Sequence, residues 1–200
     1  MFKRNWLIIP LLIIGFYYNF WVIQNADKEM VFQEFVYGGL ILIFLILLGI
    51  SLRKDILKYK EAKNWKSFFP TIIGMTILLS FLASSLMLKI RDNSPVIIQA
   101  GYDGGFNGAW FDFRKDGTYK FANSGGIGAD FFRGKYTLSD TIITLDKTEI
   151  DNVIKTNKLA IREIKNFDST KIKVIYQIGE NHNIIDKNFC FIVNKYQINE

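Results

Sequence analysis

Two residue types are nearly missing. The chain has one cysteine, Cys190, and one histidine, His182. A lone cysteine excludes an intrachain disulfide, and its place in the apolar run FCFIV reads as a small buried side chain. A lone histidine in the polar stretch GENHN leaves no His/Cys set for zinc, so neither a metal nor a cofactor is expected. It also leaves no Ser/His/Asp set at motif spacing, and no catalytic residue is assigned.

Charge is nearly absent from three long stretches: residues 5–23, 31–52 and 68–90. The first, NWLIIPLLIIGFYYNFWVI, spans about 28 Å as a helix, close to the hydrocarbon thickness of a bilayer. Its bulky end, Tyr17 to Trp21, lacks the small residues of a signal-peptide cleavage site, so it reads as an uncleaved span. Trp6 and the Tyr17/Trp21 pair suit membrane interfaces, and Pro10 suits a slight kink in the first turns. The second span begins with Glu34, which is either an intramembrane acid or an interfacial carboxylate favoured by the helix dipole. The third is FFPTIIGMTILLSFLASSLMLKI. Its small residues Gly74, Ser80 and Ser84 allow another helix to come close.

The basic charge is unevenly placed. Of the net +6, residues 1–90 carry +5, with ten Lys/Arg against five Asp/Glu. The loop 53–67 alone holds six basic and two acidic residues, and the apolar face of Ile56, Leu57, Tyr59 and Trp65 suits an interfacial amphipathic helix there, while the loop after the first span is acidic at Asp27 and Glu29. Lysine and arginine mark the cytoplasmic side, so the N-terminus and loop 53–67 are expected inside and the C-terminal half outside. An excess confined to membrane flanks argues against nucleic acid as a partner and for the lipid bilayer.

Beyond residue 90 the hydrophobic period changes to two. Candidate strands are 96–99, 108–114, 118–123, 131–138, 141–146, 158–164, 171–178 and 189–195. Residues 91–200 are therefore expected to form an antiparallel barrel or sandwich of about eight strands, and the whole chain is α+β by segments. The turn Lys115-Asp116-Gly117 sets a register. Three loop residues with a left-handed Gly117 place Phe113 opposite Tyr119, Phe111 opposite Phe121 and Asp112 opposite Lys120, which keeps one face aromatic. A second hairpin turning at Ser139-Asp140 pairs Tyr136 with Ile143 and Arg133 with Asp146.

Gly108-Ala109-Trp110 matches the G-x-W that opens the first strand of lipocalin-like barrels, and the meander GTYKF…FRGKYTLSDTIITL that follows resembles small lipocalin-like domains of bacterial envelope proteins. The resemblance covers residues 106–145 best. It implies an up-and-down barrel, Trp110 closing its end, and an interior able to hold an apolar ligand against Phe111, Phe113, Tyr119, Phe121 and Tyr136. A filled core is the other reading of the same aromatics. The run GGIGADFFR, with Gly125, Gly126, Gly128 and Asp130, matches one copy of a calcium nonapeptide. Such sites need stacked copies, so it reads as a flexible loop at the barrel rim. Two functional classes follow: a non-enzymatic, membrane-anchored module of accessory or immunity type that binds a protein, peptide or lipid, and an apolar-ligand carrier or hydrolase using the barrel mouth.

Overall fold

The computed structural model describes residues 6–165 and 169–198. Lys3 and Arg4, which precede the expected first span, and Asn5, which opens it, lie outside them. The chain divides into two compact units, with the boundary between Asn93 and Ser94.

The first unit is helical: α1 is Ile8–Gln24, α2 is Gln33–Ala62 and α3 is Phe69–Arg91, the last preceded by a single 3₁₀ turn, Trp65–Phe68. Two of these, α2 and α3, are long and apolar enough to cross a membrane, while α1 is shorter at 17 residues. The apolar pattern stops near Leu52, but the helix does not. α2 runs on through the basic segment to Ala62 because Lys, Glu, Leu and Ala keep high helix propensity after hydrophobicity is lost. Lys63, in the left-handed conformation at φ 52°, ends it. Residues 53–67, whose apolar face suits an interfacial amphipathic helix, are thus mostly helical, as a continuation of α2 rather than a separate element.

The three helices close around Leu11, Tyr18, Val22, Phe44, Leu48 and Phe81. Glycines set the spacing. A Cβ on Gly15 would strike Ile77, and one on Gly74 would strike Leu48. At one end of the bundle, Asp55 of α2 is only 6% exposed and accepts from both the backbone N–H and the hydroxyl of Thr71, at 3.1 and 2.7 Å. It caps the first turn of α3, whose Pro70 needs no hydrogen-bond partner there. At the other end, Arg91 bridges to Asp27 at 3.0 Å and donates to the Ala26 carbonyl.

The second unit is a closed barrel of eight antiparallel strands. They are β1 (Val96–Gly104), β2 (Asn107–Arg114), β3 (Thr118–Gly125), β4 (Gly128–Ser139), β5 (Ile142–Leu145), β6 (Lys158–Lys165), β7 (Lys171–Gln177) and β8 (Phe191–Tyr196). Each strand pairs with the next, and β8 returns to pair with β1, so the meander closes without a crossover. Closure removes the free edges that a sandwich would leave.

The β2–β3 register is the one the turn residues require. Phe113 opposes Tyr119, Phe111 opposes Phe121 and Asp112 opposes Lys120, with Gly117 at φ 79°. The β4–β5 hairpin differs from expectation by two residues: Tyr136 opposes Leu145, and Leu138 opposes Ile143. Asp140 takes the left-handed conformation, φ 54°, and the chain reverses over Asp140-Thr141. Asp146 accordingly donates its backbone N–H to the Lys135 carbonyl rather than facing Arg133.

Candidate functional site

The barrel interior is built by alternation. Phe111 and Phe113 on β2, Tyr119 and Phe121 on β3, and Phe191 on β8 are all fully buried. Phe111 sits at the centre, with ring centroids of Phe113, Phe121 and Phe191 at 5.0, 4.7 and 5.3 Å. Tyr136 joins from β4, edge-on to Phe113 at 5.0 Å. The aromatic residues expected to share one face therefore meet, and they meet each other.

Tyr119 lies across Gly134, its cross-strand partner, where a Cβ would collide with the tyrosine ring and with the Asp146 carboxylate. Burial first, and the Asp146 charge second, push the Tyr119 hydroxyl well above the usual phenol pKa. No hydrogen bond of ordinary geometry reaches that hydroxyl among the described residues. Burial and then the Asp116 charge also raise Tyr136. Asp116 itself is lowered, chiefly by the Thr118 hydroxyl that donates to it at 2.7 Å.

Trp110 alternates with Phe111 and so stands on the outer face, mid-strand rather than at the barrel end. It opposes Gly101 and Ala122 and meets Phe131 edge-on at 6.4 Å. Lys120 lies 3.9 Å from the centroid of the same Phe131 ring.

One end of the barrel, where the chain enters at Ser94, is tied by the β2–β3 turn. Lys115 donates to the Pro95 carbonyl and Asp116 to the Ser94 hydroxyl. The opposite end carries the β1–β2, β3–β4, β5–β6 and β7–β8 connections. There the β5–β6 connection folds inward as a plug. Ile150 and Ile154, 3% and 0% exposed, bridge each other and join the core. Gln177 holds this plug from both sides, accepting from the Lys155 N–H at 2.7 Å and donating to the Val153 carbonyl at 2.9 Å. Asn123 adds a bond to Asp151 at 2.6 Å.

The glycine run at this far rim is a tight hairpin. Gly125 pairs with Gly128, leaving Gly126-Ile127 as the turn, and Asp130 pairs with Asn123 in the ladder. The neighbouring tip, between β1 and β2, is turned by Gly105 at φ 80° and presents Phe106. The Phe106 ring packs over Gly126, where any Cβ would overlap it. Phe106 and Ile127 are nevertheless 80% and 81% exposed. Sequence reasoning missed this pair because each is a single apolar residue inside a glycine-rich turn. The signal available was a large side chain at a position that small residues usually occupy.

In the helical unit, Ser80 and Ser84 bind a residue the sequence did not single out. Asn19 of α1 donates to the Ser80 hydroxyl at 2.9 Å and accepts from the Ser84 hydroxyl at 2.8 Å. Gly74 lies on the same helix at the contact with Leu48 and Leu11. No group of three or more His, Cys, Asp or Glu residues suited to a metal ion occurs among the described residues. Compared with known proteins, the chain matches no family model, no curated protein and no solved structure.

Proposed function

We propose that this chain is a membrane-anchored, non-enzymatic binding module of the bacterial cell envelope. Three helices anchor it in the cytoplasmic membrane with the N-terminus inside, and the β barrel is presented outside to a protein, peptide or lipid. The apolar surface of the helices supports anchoring: Phe16, Phe35, Leu79, Leu82 and Met87 are all more than half exposed, a pattern suited to lipid rather than water. The 17-residue α1 spans about 26 Å, short of the hydrocarbon thickness by less than one helical turn. Eight-stranded up-and-down closure supports kinship with lipocalin-like domains.

The observation that carries the binding reading is the state of the interior. Rings fill the middle, and the Ile150/Ile154 plug covers the far mouth, so recognition is expected to run from the outer surface. An accessory or immunity-type role is of this kind. The alternative, a carrier or hydrolase working from the mouth, requires the plug to open and the ring cluster to separate. Affinity capture of the intact protein from its own membranes, after cross-linking in cells, tests the proposal. A partner recovered in fixed ratio is expected. A protein that returns alone, or that hydrolyses ester probes, would count against it.

A further inference from the structure

The far rim combines two features. Two adjacent hairpin tips display Phe106 and Ile127 almost fully to solvent, and they support each other through the Phe106–Gly126 contact. The second feature is charge. The connections and adjoining strand ends here expose Asp103, Asp130, Glu149, Asp151, Glu180 and Asp186, against Lys147, Lys155 and Lys187. This acidic bias is local, since the chain as a whole carries +6.

Isolated apolar tips also suit insertion into a bilayer, but acid side chains around them would be repelled by anionic lipid. The same acids attract a cationic surface and steer it toward the tips. Charge therefore separates the two occupants. We propose that the far rim is the docking site of a cationic, apolar-bearing polypeptide segment, with Phe106 and Ile127 as its anchors and the surrounding carboxylates as its rim. This rests on the binding-module reading and gives it a surface and a partner class. The geometry suits the role. Anchors on hairpin tips of a closed barrel are held in place before binding, so little ordering is needed on contact. The exposed acids act mainly on approach and register, and the two apolar side chains supply the contact that holds.

The test uses the full chain in nanodiscs of zwitterionic lipid, with empty nanodiscs as reference. The probe is a short fluorescent peptide alternating Lys and Phe, and its counterpart with Glu for Lys is the control. Anisotropy should show saturable binding of the Lys peptide only, weakened by salt. The double variant Phe106→Ser, Ile127→Ser should bind at least about tenfold more weakly. Both positions are exposed, so its thermal transition should match the parent, and that match is checked first. If the tip variant disturbs folding, Asp130→Asn with Asp151→Asn replaces it, with a loss of salt dependence expected. Equal binding by the altered rim, or equal binding of the Glu peptide, overturns the proposal. Photo-cross-linking from position 127 and from position 110 in cells separates the two levels of failure. A polypeptide captured from 110 but not from 127 overturns the rim site and leaves the module reading standing. Capture from neither overturns the rim site and leaves the module reading only a lipid partner.

Discussion

The hydroxyl of Tyr136 donates to the backbone carbonyl of Arg114 at 2.8 Å, and its own backbone N–H donates to the Gly117 carbonyl at the same distance. One residue of β4 thus holds the whole β2–β3 turn at the end of the barrel where the chain enters. Tyr136→Phe removes a buried donor and leaves that carbonyl unserved by the side chain. A loss of about 1–2 kcal/mol is expected in denaturant titration. A variant as stable as the parent would mean that the turn is held by backbone pairing alone.

The β2–β3 register makes Phe113 interior and Asp112 exterior, where Asp112 accepts from Gln99 at 2.9 Å. Phe113→Ala should cost roughly 3–5 kcal/mol, and Asp112→Ala about 0–1 kcal/mol. The order of the two costs is the informative quantity. If the Asp112 change is the more damaging, the outer hydrogen bond dominates and the aromatic cluster is not the core.

Tyr119 predicts the alkaline limit of stability. Its folded pKa is raised above the unfolded value of about 10, so its contribution is fully present below about pH 10 and is lost as pH rises above it. Burial raises Tyr136 and Tyr176 in the same direction. Tyr119→Phe should flatten, without abolishing, the fall in melting temperature above about pH 10. Near neutral pH it should be neutral or stabilising by up to about 1 kcal/mol, because it deletes a buried hydroxyl without a geometric partner among the described residues. An unchanged alkaline slope would remove Tyr119 from the account. Destabilisation at neutral pH would show that Asp146 accepts its proton in a true hydrogen bond.

In the helical unit, Asn19→Ala breaks both links to α3 while leaving Ser80 bonded to the Ile77 carbonyl at 2.7 Å. A loss of about 0.5–2 kcal/mol is expected in unfolding within a bilayer mimic. Gly74→Leu should be worse, since it forces a side chain between Leu48 and Leu11. If both are silent, α1 does not pack on α3 as described.

The proposed orientation rests on charge alone. A reporter active only outside the cytoplasm, fused after Glu200, should work, and a cytoplasm-dependent reporter there should not. The reverse result would place the barrel inside the cell.

Much of this fold was legible because its signals are local. Asp116-Gly117 fixes one hairpin, alternation marks the strands, and uncharged runs mark the helices. The two-residue offset at the β4–β5 hairpin was not legible for a definite reason. A shift of one residue would turn Tyr136 outward, but a shift of two keeps it inside, opposite Leu145 instead of Ile143, so burial pattern cannot tell them apart. The continuity of α2 past Leu52 is not legible because hydropathy marks the apolar span, not the helix. Asn19 was missed because one polar residue within an aromatic stretch has no period. Its partners Ser80 and Ser84 were visible, but only the fold pairs them. The run from Gly125 to Asp130 is legible as a rim loop, but the Phe106–Gly126 contact is not, because the two tips are distant in sequence and meet only through the topology.

Native mass spectrometry of the intact protein released from its own membranes tests the central claim most directly, namely that the barrel is filled and binds with its outside. A complex of the chain with a polypeptide is expected, lost in the Phe106→Ser, Ile127→Ser variant, with no small molecule retained by the barrel. A chain that leaves the membrane carrying one small apolar molecule, released only when the barrel unfolds, would contradict it.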